Sequence, residues 1–301
     1  MTAVAEREAG EAWPEADYAT RPCSFSPDLL RGHVVLVSGA GGGIGRATSW
    51  LLARLGAHVV LAGRKVDKLD AVATELRTRG FACTPHALDV RDRASVDTLY
   101  DDVFSAEGRL DLVIHAAGGQ FPQPAIEFSQ KGWRAVLDTN LDGTFHMMQS
   151  AARHWRDRGA PGSLVNIVVS PRGLHHVAHT VAARAGVIAF SEAVAVEWAP
   201  LGIRVNCVAP GVIRTAGWAA YTPTVRARYP NANPLRRAGT PWDVAEACLF
   251  VGGPSGSFIT GETLELTGGG HLWGEVWTTD KPAWFRDASR SLDVDDTTEG
   301  G

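Results

Sequence analysis

Val34-Val35-Leu36-Val37-Ser38-Gly39-Ala40-Gly41-Gly42-Gly43-Ile44-Gly45 decides the fold of this chain. Val34–Val37 is an unbroken apolar run, the pattern of a strand covered on both faces. Gly39, Gly43 and Gly45 then follow a G-x-x-x-G-x-G spacing where a helix begins. Glycine permits the tight turn, and it lets backbone N–H groups approach a pyrophosphate at the helix N-terminus. A glycine-rich loop alone is weak evidence; directly after the first strand of an alternating α/β chain it is strong.

The rest of the chain supplies that alternation. Apolar runs recur at Val59–Ala62, Leu112–Ile114, Leu164–Val169, Ile203–Val208 and Thr263–Leu266, with a weaker one near Cys83–Leu88. Helical patterns lie between them, for example at Asp92–Glu107, Lys131–Asp157 and Val177–Trp198. Parallel strands need crossover helices, so the reading is α/β: a single doubly wound, Rossmann-like parallel sheet of about seven strands with helices on both faces. With no internal repeat or linker, residues 32–270 form one NAD(P)-binding domain. Residues 1–31 are an N-terminal extension, expected to become ordered only near Leu29-Leu30. Residues 271–301 hold tryptophans and then an acidic tail.

Composition narrows the function. Of 301 residues, 29 are Lys or Arg and 33 are Asp or Glu, a net charge of −4, which weighs against nucleic-acid binding. Cys23, Cys83, Cys207 and Cys248 have neither zinc nor Cys-x-x-Cys spacing, so reduced thiols and a cytoplasmic location are expected. No apolar run reaches the length of about 18 residues that a membrane span needs. Neither a signal peptide nor a peroxisomal C-terminal address is apparent. Ten Trp stand against only four Tyr.

The cofactor half of the site follows from the strand ends. An NAD-type site carries an acidic residue about 20 residues after the glycines. Here that place reads Gly63-Arg64-Lys65. Arg grips a 2′-phosphate bidentately, so NADP(H) is favoured. Asp89, in Leu88-Asp89-Val90, is placed either near an adenine or as a helix N-cap.

These pieces, with Ala116-Ala117-Gly118, Asn140-Leu141 and Arg204-Val205-Asn206…Pro210-Gly211…Thr215, resemble the short-chain dehydrogenases/reductases over residues 32 to about 270. Within that family the chain is most similar to the peroxisomal trans-2-enoyl-CoA reductases, with the 2,4-dienoyl-CoA reductases next. The pieces are Gly118-Gly119-Gln120-Phe121, Lys131-Gly132-Trp133, Val136–Leu141, Ala182–Val187 and Glu197-Trp198-Ala199. The resemblance implies that Ser38, Gly39, Gly42, Gly43, Ile44 and Gly45 cradle the cofactor's pyrophosphate. Val90, Ala117 and Gly118 would line its cleft, and Pro210, Val212 and Thr215 its nicotinamide. Asn140 would be the catalytic-tetrad Asn that holds a helix kink. Segments 131–157 and 177–199 would form the faces of a homodimer or homotetramer, and 216–237 the substrate lid.

The departures bear on chemistry. The family's Tyr-x-x-x-Lys reads Thr180-x-x-x-Arg184 here. Residues four apart share a helix face, so Arg184 can still hold the nicotinamide ribose and supply positive charge. An alkyl hydroxyl such as that of Thr180 is far less acidic than a phenol. The family Ser is replaced by Val168-Val169, with Ser170 one step late, and Asn-Asn-Ala-Gly reads His115-Ala116-Ala117-Gly118. Alcohol–ketone interconversion leans on a positioned acid/base. Enoyl thioester reduction places charge on a thioester oxygen and needs hydrogen-bond donors aimed at an enolate. The losses therefore harm enoyl reduction less.

Segment 170–180 carries His175, His176 and His179, and His179 is the candidate proton donor. His175-x-x-x-His179 has zinc-like spacing without a partnered Glu or Cys, and no metal is expected. Gln120, Phe121, Trp218 and Tyr221 are candidate substrate contacts. With Trp273, Trp277, Trp284 and Phe285 they suit a large apolar substrate, and Arg226 and Arg228 suit CoA phosphates. Three functions stay open. The first is an NADPH-dependent 2-enoyl-CoA reductase. The second is an alcohol or ketone oxidoreductase on a terpenoid, steroid or polyketide-like substrate. The third is a nucleotide-binding member without redox activity.

Overall fold

The computed structural model describes residues 15–172, 174–220 and 222–273. Its seven strands are β1 (Val34–Ser38), β2 (His58–Gly63), β3 (Cys83–Ala87), β4 (Leu112–His115), β5 (Gly162–Ile167), β6 (Ile203–Pro210) and β7 (Thr263–Leu266). They form one parallel sheet in the order β3-β2-β1-β4-β5-β6-β7. The order reverses between β1 and β4, which opens a crevice at the carboxyl ends of those strands.

The helices are α1 (Glu15–Thr20), α2 (Gly43–Arg54), α3 (Val66–Thr78), α4 (Arg93–Glu107), α5 (Gln130–Leu137), α6 (Gly143–Arg158), α7 (Ala178–Trp198), α8 (Pro223–Arg228) and α9 (Pro241–Gly252). On one face of the sheet Trp50, Leu51 and Leu249 are buried with Val35 and Val37; on the other Trp155, Met147 and Tyr100 are buried with Leu36 and Val113. Both faces of β1 are covered, which is why its sequence does not alternate. Helix α7 is long and apolar enough to cross a membrane by length and composition. It packs on β6 and buries Thr180, Arg184 and Ser191, as a core helix does.

Three expectations about the elements change. The helical stretch 131–157 is broken into α5, a π-helical turn at Asp138–Asp142, and α6. Strand β5 ends at Ile167; Val168 still donates its N–H to the Val208 carbonyl (2.9 Å) before the chain leaves the sheet. Asp92, not Asp89, caps α4, accepting from the Ala94 N–H (3.0 Å).

The N-terminal extension is ordered well before Leu29. Tyr18 of α1 is buried and stacks on Trp50 of α2 and Trp242 of α9, with centroids 6.3 and 6.2 Å away. Arg54 donates to the carbonyls of Tyr18 and Arg21, both at 2.8 Å, and its guanidinium lies 5.3 Å from the Trp242 ring. Polar-looking sequence thus covers apolar surface through one aromatic anchor. Removing a buried aromatic side chain costs about 3–5 kcal/mol. Tyr18→Ala is therefore expected to lower the thermal midpoint by several degrees; an unchanged melting curve would show that the extension merely rests on the domain.

Candidate active site

The glycine loop is closed by backbone contacts that no side chain fits between. Gly39 has φ +72°, and a Cβ there would lie 2.9 Å from the Ala116 carbonyl; one on Gly45 would lie 2.2 Å from the Gly39 carbonyl oxygen. Helix α2 begins with no side-chain cap, leaving the N–H groups of its first turn for an anionic ligand. Beside the loop is a cleft of about 340 Å³, lined by Gly39, Gly41, Gly42, Gly63, Arg64, Lys65, Lys68, Val90, Ala117, Gly118 and Thr139 among others. A cradle without Cβ atoms beside basic side chains fits a pyrophosphate-bearing dinucleotide.

Of the sequence-derived cofactor residues, Gly39, Gly42, Arg64, Lys65, Val90, Ala117 and Gly118 line this cleft. Thr215 comes from the far side, its methyl 3.6 Å from where a Gly43 Cβ would stand. Pro210 ends β6, and Val212 accepts from the Gly239 N–H (2.9 Å). Asp89 is engaged by Arg91, whose side chain donates to both carboxylate oxygens; those hydrogen bonds hold the Asp89 carboxyl below its ordinary pKa. The cleft also recruits Lys68 and Leu69, which no sequence motif marks, and Thr139 of the Val136–Leu141 stretch. Lys68 is the third residue of α3, just after the basic end of β2.

At the inner end of the cleft, Asn140, Thr180 and Arg184 come together. Asn140 lies in the π-turn, whose extra residue turns its side chain toward the loop after β4. Its amide is fully engaged. Nδ2 donates to the Gly119 carbonyl (2.8 Å) and to Thr180 Oγ1 (3.4 Å), while Oδ1 accepts from the Gly119 N–H (3.0 Å) and from Arg184 Nη2 (3.3 Å). Because Thr180 Oγ1 is the acceptor there, its own proton is left to donate.

The Arg184 guanidinium is buried and surrounded by oxygens of neutral groups. It donates to the carbonyls of Ala117 (3.2 Å) and Asn140 (3.5 Å) besides Asn140 Oδ1. A Cβ on Gly118 would stand 2.2 Å from Nη2, so only glycine fits under this cation. Burial lowers the Arg184 pKa to about 10, which leaves it charged at neutral pH. No carboxylate pairs with it among the described residues.

His115 joins this group to the glycine loop. It is fully buried, its Nδ1 is 2.8 Å from Ser38 Oγ, and the same hydroxyl accepts the Ala117 N–H (3.1 Å). Burial, with repulsion from Arg184, lowers its pKa to about 3.

The other candidates lie elsewhere. Ser170 donates to Glu265 Oε1 of β7 (3.2 Å) rather than to Asn140 or Thr180. His179 is fully buried, stacked on Phe128 and edge-on to Phe121, both centroids at 4.5 Å. Its Nδ1 accepts the Thr180 N–H (2.7 Å), and burial lowers its pKa. His179 is thus a wedge fixing the loop after β4 against the start of α7, and that loop carries Gln120. Trp218 is buried in the 216–237 segment, with the Arg214 guanidinium 6.0 Å from its ring. Tyr221, Trp277, Trp284 and Phe285 lie outside the described residues.

The chain belongs to the short-chain dehydrogenase/reductase family: residues 39–271 match the family profile described as enoyl-(acyl carrier protein) reductase. Among its relatives is the probable 2,4-dienoyl-CoA reductase [(2E)-enoyl-CoA-producing] of Bacillus subtilis (strain 168). The two are 34% identical over 241 residues, 78% of this chain and 95% of that one. The peroxisomal 2,4-dienoyl-CoA reductase [(3E)-enoyl-CoA-producing] of Danio rerio is 35% identical, covering 82% and 84% of the two chains. Among solved structures, the citronellol catabolism dehydrogenase of Pseudomonas aeruginosa PAO1 superposes with a TM-score of 0.74 at 37% identity, over 82% of this chain and 98% of that one.

Proposed function

We propose that this protein is an NADPH-dependent reductase of the activated C=C bond of an unsaturated acyl-CoA thioester. One observation carries the reading: a buried guanidinium, Arg184, held by neutral oxygens beside a free hydroxyl proton on Thr180. A buried cation without a counter-ion is costly, and an anion that develops in the site offsets that cost. Enolate formation from an enoyl thioester supplies one. A reduced nicotinamide cofactor held in the cleft beside the glycine loop would supply the hydride. Thr180 and Arg184 donate toward the thioester oxygen as charge collects on it, Asn140 holds those donors in place, and water protonates the α-carbon. Arg64 and Lys65 support the choice of NADP(H) through the ribose 2′-phosphate. The names of the 2,4-dienoyl-CoA reductases support the thioester substrate.

A second reading rests on the relative named for citronellol catabolism: an oxidoreductase acting on a terpenoid alcohol or ketone. The absence of a phenol at position 180 weighs against it. The discriminating assay follows NADPH absorbance with crotonyl-, octenoyl- and 2,4-decadienoyl-CoA against ketones of similar length. Turnover is expected with the thioesters. Oxidation of NADPH by ketones alone would establish the second reading, and tight NADPH binding without turnover would establish a non-redox role. Exposed Phe145 and Val196 on α6 and α7 support a homo-oligomer, to be checked by sedimentation.

A further inference from the structure

His115 is fully buried at the end of β4, opposite Ser38 of β1 and Asn166 of β5 in the register of the sheet. Val113 and Leu164, two residues before His115 and Asn166, share one core cluster, so both polar side chains leave on the same face. Ser38 Oγ accepts the Ala117 N–H (3.1 Å) and lies 2.8 Å from His115 Nδ1. On the other side, Asn166 Nδ2 donates to Ser191 Oγ of α7 (3.1 Å). Ser191 follows Arg184 by two helical turns, and Arg184 Nη2 donates to the Ala117 carbonyl (3.2 Å). The chain of contacts therefore runs from Ala117 through Ser38 to His115, and from Asn166 through α7 back to Ala117.

One link joins the two ends. His115 Nε2 and Asn166 Oδ1 are both buried, and neither has another partner among the described residues. The position of the imidazole proton follows from its surroundings. Among the described residues the Ser38 hydroxyl has no acceptor besides His115 Nδ1. A proton on Nδ1 would strand the Ser38 O–H and set the Nε2 lone pair against the Asn166 carbonyl oxygen. A proton on Nε2 lets Ser38 donate to Nδ1 and aims a donor at Asn166 Oδ1. Buried polar groups are paired, which selects the second arrangement. It needs a neutral ring, and burial with repulsion from Arg184 keeps the imidazole neutral.

We propose that His115, protonated on Nε2, is a positioning residue for Arg184: it closes a ring of buried hydrogen bonds that fixes α7 and the Ala117 carbonyl against the glycine loop. Opening the ring frees the guanidinium from its place among the oxygens of Ala117 and Asn140. The effect on thioester reduction rests on the function proposed above; the placement of the guanidinium does not.

The test uses the full-length protein with isotope-labelled histidine and arginine nitrogens, observed by NMR at pH 7. Wild type is expected to show an Nε2–H resonance with an unprotonated Nδ1, and slowly exchanging Nη–H resonances. The first is assigned by its loss in His115→Asn and the second by their loss in Arg184→Met. An Asn amide reproduces the Nδ1 side of the ring and a Gln amide the Nε2 side, so neither spans from Ser38 to Asn166. His115→Asn and His115→Gln should each shift or broaden the Arg184 resonances. His115→Asn should lower kcat for octenoyl-CoA about two- to tenfold, as for loss of one hydrogen bond, with KM for NADPH unchanged. In the Arg184→Met background the same substitution should cost nothing more. An Nδ1–H tautomer in wild type would overturn the proposal, whether or not a variant folds. Arg184 resonances unmoved in both variants would overturn it too, as would a loss of kcat that persists in full without Arg184. A wild type that turns over no enoyl thioester would overturn the thioester reading alone, because the resonances still decide the ring.

Discussion

Arg184→Met is expected to lower kcat for enoyl thioesters by about 10²–10³-fold, the range seen when a transition-state oxyanion donor is removed. Folding stability should be unchanged or higher, because an unpaired buried cation is replaced by an apolar chain of similar length. The local cost is small. All three acceptors lose Arg184, but Asn140 Oδ1 keeps the Gly119 N–H and the Asn140 carbonyl keeps Thr144 Oγ1 (2.8 Å), so the uncompensated loss falls on the Ala117 carbonyl. A rate within a factor of a few of wild type would remove Arg184 from the chemistry. The pH dependence gives a second check. The guanidinium acts as a cation with a pKa lowered to about 10. The wild-type rate should therefore fall as pH rises through about 10, and that limb should be missing in Arg184→Met.

Acid stability should depend strongly on His115. Its pKa is about 3 in the fold, against roughly 6.5 for an unperturbed histidine. Between those values the unfolded chain takes up a proton that the folded chain refuses. The contribution to stability is full above about pH 6.5 and is lost progressively as pH falls toward about 3, at about 1.4 kcal/mol per pH unit. His115→Asn keeps a polar partner for Ser38 without that titration. Urea melts at pH 7 and pH 4 should show that the variant loses much less stability than wild type between the two. Identical pH slopes would mean that His115 is hydrated and protonated in the folded protein.

Much of the frame is legible in the sequence. The apolar runs locate the five central strands, because strands buried on both faces leave continuous apolar sequence; β3 and β7, at the two sheet edges and partly exposed, are marked more weakly. The glycine spacing locates the loop, because close backbone approach admits no other residue. Those signals are local. The break in the helical stretch 131–157 is not legible from periodicity, because a π-turn inserts one residue without altering the apolar pattern. Nor is the docking of residues 15–31, which depends on Tyr18 meeting Trp50 and Trp242 from distant helices. Neutral-range titration makes any histidine near the site a candidate proton donor, His179 included. Its burial between Phe121 and Phe128 depends on a loop about fifty residues upstream.

By itself the sequence determined the fold class, the cofactor loop, the basic end of β2 and the loss of the phenol at position 180. Each is written in consecutive residues or at helical and strand periods. Only the tertiary structure decided which polar atoms meet. It tied Ser170 to Glu265, enclosed His179, engaged Asp89 with Arg91, and set Arg184 among the oxygens of Ala117 and Asn140. Reactivity depends on burial and on partners a few ångströms away, and those partners come from strands and helices tens of residues apart.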